Sequence, residues 1–326
     1  METAPSATPV VLSYGRLLRL PNVFTAIADI MMGFLVVSLA LEPVSVFVAL
    51  AVASSLLYVG GAVLNDVCDV KQDRQERPHR PLPAGEIPIG QARSLAIVLL
   101  VSGVLAAWLA GYLVANRVAA MPWRSGTIAV ALAVLVFSYD VVLKRTPLGP
   151  IAMGGCRALN ILLGMSLASM FSIVDRPASL GFTDAQLVIA GGLGLYIVGV
   201  TLYARTEAVE SNQIQLGAAV AVMAAGLVLL GLFPDFAPYG GDLPKIHVTI
   251  WRLMLGLLAF TTIRRAGIGV MSPQPTQVQA AVKQCILSII VFDAAVVLAV
   301  RDPRWAIAVL MLLVPTVAFG RLIYST

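Results

Sequence analysis

Long apolar runs alternate along the chain with short polar breaks, and the runs are of nearly one length. They cover residues 22–41, 44–64, 94–115, 127–143, 150–172, 185–203, 214–233, 248–265, 282–300 and 304–323. About 20 residues of α-helix cross the hydrocarbon core of a bilayer, so each run predicts one spanning helix. Only Arg301-Asp302-Pro303-Arg304 separates the last two. The count is therefore ten or, with one helix broken or half-inserted, nine. No Gly/Ser-rich or Pro-rich linker divides the sequence, and the longest breaks lie after residue 64 and over 266–283. The pattern predicts an all-α, polytopic membrane protein, with a cytoplasmic N-terminal segment over 1–21 and a single integral membrane domain over 22–326.

Composition sharpens this. Of the 326 residues 59% are hydrophobic and 12% charged, far from the balance of a soluble domain. A net charge of +5 would suggest nucleic acid in a soluble protein. Here most of the Lys and Arg fall in alternate breaks, so they mark the cytoplasmic side and no nucleic-acid partner is expected. The multi-pass chain is expected in the cell (inner) membrane, with the break after residue 64 facing the cytoplasm. The first 21 residues lack the apolar core and small-residue cleavage site of a signal peptide. Cys68, Cys156 and Cys285 are odd in number and scattered, which predicts buried thiols rather than disulfides.

The most polar stretch of the chain is NDVCDVKQDRQERPHRPLPAG, Asn65 to Gly85. Asp66, Asp69 and Asp73 stand at i, i+3 and i+7, one stripe of a helix, and their carboxylates are expected to converge. Like charges so placed call for a cation, and hard oxygen ligands suit Mg²⁺ or Mn²⁺ better than zinc. His79 alone makes no zinc site. Arg77 and Arg80 follow, and guanidinium groups pair bidentately with phosphate. Carboxylates, metal and arginines together describe a diphosphate clamp; the competing reading is a solvated loop of mixed charge. Pro78, Pro81 and Pro83 are expected to end the helix and stiffen the return to the membrane.

A second polar cluster, YARTEAVES from Tyr203 to Ser211, offers Glu207 and Glu210 at i and i+3, with Tyr203 and Arg205 beside them. YVGGAVLND and YIVGVTLYART end the second and sixth predicted helices, and an even number of crossings between them puts both clusters on one face. Two acidic faces could then hold metal around one diphosphate and neutralise charge on a leaving group. Asp29, Asp140, Arg157, Asn160, Arg252 and Asp293 fall within spans or at their ends, where ionisable groups face a cavity or a partner. Arg157 and Asn160 either line a chamber near an acceptor or join a structural ion pair. Asn22 could reach phosphate from the start of the first span. Tyr139 either bonds a diphosphate or anchors the interface.

The Asn65–Gly85 stretch resembles the first signature of the UbiA superfamily of intramembrane prenyltransferases, N-D-x-x-D-x-x-x-D followed by R-P-L/I-P-S-G. FSYDVVLKRTPLG, Phe137 to Gly149, is similar to the family's Tyr-x-x-x-x-Lys-Arg stretch. The spacing from Asp73 to Arg80-Pro81 looks like the chlorophyll-synthase and archaeal ether-lipid branches. The resemblance implies a ring of nine helices around a central cavity open toward lipid. It also implies that Asn65, Asp66, Asp69 and Asp73 bind Mg²⁺ and diphosphate, and that Arg77, Arg80, Lys144 and the adjacent Arg145 hold phosphate oxygens. The reaction implied is ionisation of an isoprenyl diphosphate and capture of the prenyl cation by a lipophilic acceptor. An aromatic acceptor is expected first, with chlorophyll-like alcohols and glycerol phosphate lipids open. Where the family's second motif carries Asp, this chain has Glu207 and Glu210. That departure motivates the alternative of a non-catalytic isoprenoid or lipid binding or transport protein. The D-G-x-x-A-R run of a CDP-alcohol phosphatidyltransferase is absent from the sequence.

Overall fold

A computed structural model describes residues 10–113, 121–167, 181–205, 212–236 and 247–324. These residues form α1 (Val10–Leu17), α2 (Leu20–Val37), α3 (Val44–Glu76), α4 (Ile89–Tyr112), α5 (Arg124–Val141) and α6 (Gly149–Gly164). They continue with α7 (Asp184–Ala204), α8 (Gln213–Gly231), α9 (Val248–Met271), α10 (Pro275–Val300), α11 (Pro303–Leu310) and α12 (Leu313–Tyr324). Among the described residues nine helices are long and apolar enough to cross a membrane, with the broken pair α11–α12 counted as one. The described part of α6 is a shorter tenth.

Each predicted span holds a helix, and the differences have local causes. The third helix does not stop at residue 64 but runs to Glu76, carrying the polar motif on its last turns. Most of the expected long break over 266–283 is helical, because α9 extends to Met271 and Pro275 opens α10. Proline suits a first helical turn, whose N–H groups have no partner inside the helix. The last span breaks between Leu310 and Leu313. Pro315 supplies no N–H for the carbonyl of Met311, and its ring crowds that carbonyl.

Helices α2 to α10 pack each against the next, and α10 returns onto α2 to close a ring. α11 and α12 lie outside it, with Phe319 stacked on Phe24 at 5.9 Å between ring centroids. Outward faces of α4 and α9 carry exposed Ile97, Val101 and Leu105, and Leu253, Leu257 and Phe260, rows at helical spacing suited to lipid. Arg301, buried at the end of α10, donates from Nε to Ser38 O at 2.7 Å and from Nη2 to Val36 O at 3.2 Å. It thereby satisfies carbonyls at the end of α2 that have no partner within the helix. Replacing Arg301 by Leu is expected to cost roughly 2–4 kcal/mol, read as a lower unfolding midpoint in detergent.

Inside the ring α2 and α6 also meet. A Cβ on Gly33 would lie 2.7 Å from Ile161 O, and one on Gly164 would lie 2.8 Å from Ile30 O. Two backbones touch here because neither residue carries a side chain, the usual condition for close helix approach in membranes.

Candidate active site

The polar motif lies on the end of α3, and its carboxylates are not solvated. Asp66 and Asp73 are buried. After α3 the chain turns back through Pro78–Gly85, and buried Leu82 and Ile87 press that return against Val63 and Val67 of α3. The packed return brings Arg80 Nη1 to 2.9 Å from Asp73 Oδ2 and 3.5 Å from Asp66 Oδ1. A freely solvated loop is therefore not what the structure shows.

The three carboxylates do not converge as the stripe suggests. A step of seven residues returns to within about 20° on a helix, whereas a step of three falls about 60° away. Asp66 and Asp73 accordingly share Arg80, while Asp69 turns aside to Lys144 Nζ at 2.7 Å, with Arg145 farther out at 3.8 Å. Among the described residues no three acidic, His or Cys side chains stand close enough together to hold an ion. Arg77 caps α3, its N–H bonded to Asp73 O at 2.8 Å.

Two residues outside the polar motif join this site: Arg19, which the sequence pattern does not single out, and Asp140, expected to face a cavity or a partner. Arg19 Nη2 lies 2.5 Å from Asp66 Oδ1 and 3.4 Å from Asn65 Oδ1. It reaches them because its backbone, at φ 47° and ψ 42°, adopts the left-handed conformation between α1 and α2. That conformation costs about 1 kcal/mol or more outside glycine, and such outliers gather at functional sites. The signal for the turn is the Pro21 that follows, which marks a helix start. Asp140, at the end of α5, accepts from Asn65 Nδ2 at 2.8 Å and brings a fourth carboxylate to the site.

Below the motif lies a cavity of about 480 Å³ walled by α2, α3, α5, α6, α7 and α10. Asn22, Asn65, Tyr139 and Asp140 line its mouth, and Arg157 and Asn160 line it deeper. Asn160 is held within the protein: Nδ2 donates to Ala26 O at 3.1 Å and Asp29 Oδ2 at 2.8 Å, and Oδ1 accepts from Ser54 at 2.6 Å. It thereby also positions Asp29. Arg157 forms an ion pair with the fully buried Asp29, so the chamber and ion-pair readings both hold for this residue.

Two expected binding residues face elsewhere. Tyr203 is buried, and its hydroxyl donates to Ala266 O of α9 at 2.8 Å, bracing α7 against α9. Arg205 is exposed and donates to Thr146 O, and it is not among the residues that line the cavity. Since Thr146 follows Lys144 and Arg145, α7 does end on the face where α3 carries Asp69. Glu207 and Glu210 lie outside the described residues. The three cysteines are free, as expected from their spacing.

The sequence matches the UbiA prenyltransferase family over residues 26–265. It is 35% identical over 165 residues to a digeranylgeranylglyceryl phosphate synthase of Methanoculleus marisnigri, covering 50% of this chain and 54% of that protein. With the protein of the same name from Sulfurisphaera tokodaii it shares 38% over 96 residues, 29% of this chain and 34% of the relative. The chain thus spans about half of the first relative and a third of the second. A solved digeranylgeranylglyceryl phosphate synthase superposes with a TM-score of 0.62 at 18% identity, covering 89% of this chain and 98% of that one. A UbiA homologue from Archaeoglobus fulgidus bound to GPP and Mg²⁺ superposes with a TM-score of 0.54 at 13% identity, covering 91% and 99%. At these identities the structural likeness speaks to the fold.

Proposed function

This chain belongs to the UbiA prenyltransferase family, and from that premise we propose that it transfers a prenyl group from an isoprenyl diphosphate to a lipophilic acceptor, releasing diphosphate on the cytoplasmic face of the cell membrane. The observation that carries the reading is the charge layout at the cavity mouth. Asp66, Asp69 and Asp73 each pair with Arg19, Arg80 or Lys144, directly above an apolar chamber.

Whether these residues suit Mg²⁺ can be asked of Arg80. Its Nη1 stands near carboxylate oxygens of both Asp66 and Asp73, so two hard oxygen ligands already meet at one cationic atom. Mg²⁺ takes one or two carboxylates and fills its remaining positions with water and phosphate oxygens, so the donor set fits. Asp66 and Asp73 would hold it, with Asn65, Asp69, Glu207 and Glu210 as further ligands, and it would supply charge neutralisation on the departing diphosphate.

Every other step falls to the chain's own groups. Arg80 and Lys144 release their carboxylates and turn to phosphate oxygens, with Arg77 and Arg145 at the rim, so the ion pairs exchange without isolating a charge. Arg19 keeps its place over Asn65 and Asp66 at the cavity mouth. The apolar walls below exclude water from the prenyl cation, which favours the acceptor over hydrolysis. The bound GPP and Mg²⁺ of the Archaeoglobus homologue support the substrate class.

The deciding experiment measures pyrophosphate release from geranylgeranyl diphosphate by the purified protein in lipid, with and without Mg²⁺, over aromatic and glycerol phosphate acceptors. Release that requires metal and acceptor is expected. Binding of the diphosphate without turnover on every acceptor would favour the carrier instead. Lys144→Ala is expected to raise KM for the diphosphate about tenfold, because one charge-assisted contact to phosphate is lost. A change confined to kcat would oppose that assignment.

A further inference from the structure

Among the described residues lining the cavity, Arg157 is the basic one below the mouth, where Arg19 lies. Its Nη1 contacts Asp29 and lies 3.4 Å from Thr25 O. No protein acceptor engages Nε or Nη2 among the described residues. The wall around these donors is apolar and includes Met153, Ile197, Val200, Ile286 and Ile289. Neighbouring Asn160 has no N–H left for a ligand, since both Nδ2 hydrogens are engaged by Ala26 O and Asp29. A prenyl tail offers these N–H groups nothing. A guanidinium facing an apolar chamber without an acceptor is unfavourable, and an oxygen atom brought by a ligand relieves it.

The charge around Arg157 selects which oxygen. Asp29 is fully buried and matches the guanidinium one for one. Asp293, also fully buried, is a second carboxylate close enough to feel Arg157. An anionic ligand at this position would add negative charge to a layer that holds one cation and already has a buried counter-charge for it. In a low-dielectric site that arrangement is penalised, whereas a neutral oxygen accepts hydrogen bonds without adding charge.

We propose that Arg157 is the docking point for an uncharged oxygen, a carbonyl, phenol or alcohol, of the lipophilic acceptor, and that any acidic group of that acceptor stays at the cavity mouth. The proposal rests on the prenyl-transfer reading for the word acceptor but not for the binding itself. Asp29 and Asn160 are positioning residues: Asp29 holds the guanidinium at the cavity wall and Asn160 holds Asp29.

Three probes of nearly one shape test it: naphthalene, 2-naphthol and 2-naphthoate, titrated calorimetrically into the detergent-solubilised protein with protein-free micelles subtracted. 2-Naphthol is expected to bind about tenfold more tightly than either of the others, the difference one hydrogen bond to a charged donor makes. Arg157→Leu removes that preference and leaves naphthalene affinity unchanged. Because the single variant strands Asp29, the pair Arg157→Gln with Asp29→Asn provides an uncharged replacement that should fold and show the same loss. Tightest binding of 2-naphthoate, equal or no binding of the three probes, or a preference that survives both variants overturns the proposal. No probe needs metal or diphosphate, so pyrophosphate release from the same preparation separates failure here from failure of the prenyl-transfer reading.

Discussion

Asp66→Asn is expected to lower the rate of pyrophosphate release about a thousandfold while the protein keeps its elution volume and helicity. The substitution preserves shape, so the Arg19 contact survives as a hydrogen bond to an uncharged acceptor and the packing around α3 is undisturbed. What disappears is the negative charge that Arg19 and Arg80 now neutralise and that a metal–diphosphate would need in turn. Asp73→Asn should behave alike, since it shares the Arg80 guanidinium. If either variant retains wild-type release, the pair is structural and the clamp must be sought elsewhere. Diphosphate affinity measured at saturating Mg²⁺ separates lost binding from lost chemistry.

The second large effect is on stability. Asp29→Ala leaves Arg157 as an uncompensated charge in the membrane core, and breaking a buried pair from one side costs about 3–5 kcal/mol, a fall in midpoint on the order of 10 °C. Asp29→Asn, which keeps a hydrogen-bond acceptor beside both Arg157 and Asn160, should cost markedly less. Asp293 offers a partial substitute counter-charge. Adding Asp293→Asn to Asp29→Ala is therefore expected to lower the midpoint beyond the sum of the two single changes. Additive effects would mean that Asp293 does not answer for its neighbour.

How much of this could be read beforehand depends on the kind of information involved. The spans were legible because apolar length is dictated by bilayer thickness, and the Asn65–Gly85 motif because its residues are consecutive on one helix. The extension of α3 to Glu76 follows from the same periodicity, although the apolar run ends at residue 64. Arg19 was not legible: its role depends on a single left-handed residue that aims it across to a motif 47 positions away. Tyr203 misled for the converse reason. A tyrosine beside a polar cluster looks poised for ligand, but helical phase turns it toward Ala266 and into the packing between α7 and α9. Asn160 lies in the chamber as expected, but only coordinates reveal that Ser54, Ala26 and Asp29 already engage its amide.

The glycine crossing of α2 and α6 bears on which way lipid can travel. Gly33 and Gly164 meet about two turns beyond Ala26, on the side of the cavity away from the aspartates, and their contact is backbone on backbone. A side chain can swing aside to open a passage, but a main-chain contact parts only if whole helices separate. Between α2 and α6 the chamber is therefore shut on the side away from the aspartates. A lipid leaving the chamber would have to pass elsewhere than between these two helices, whose contact a rotamer change cannot open.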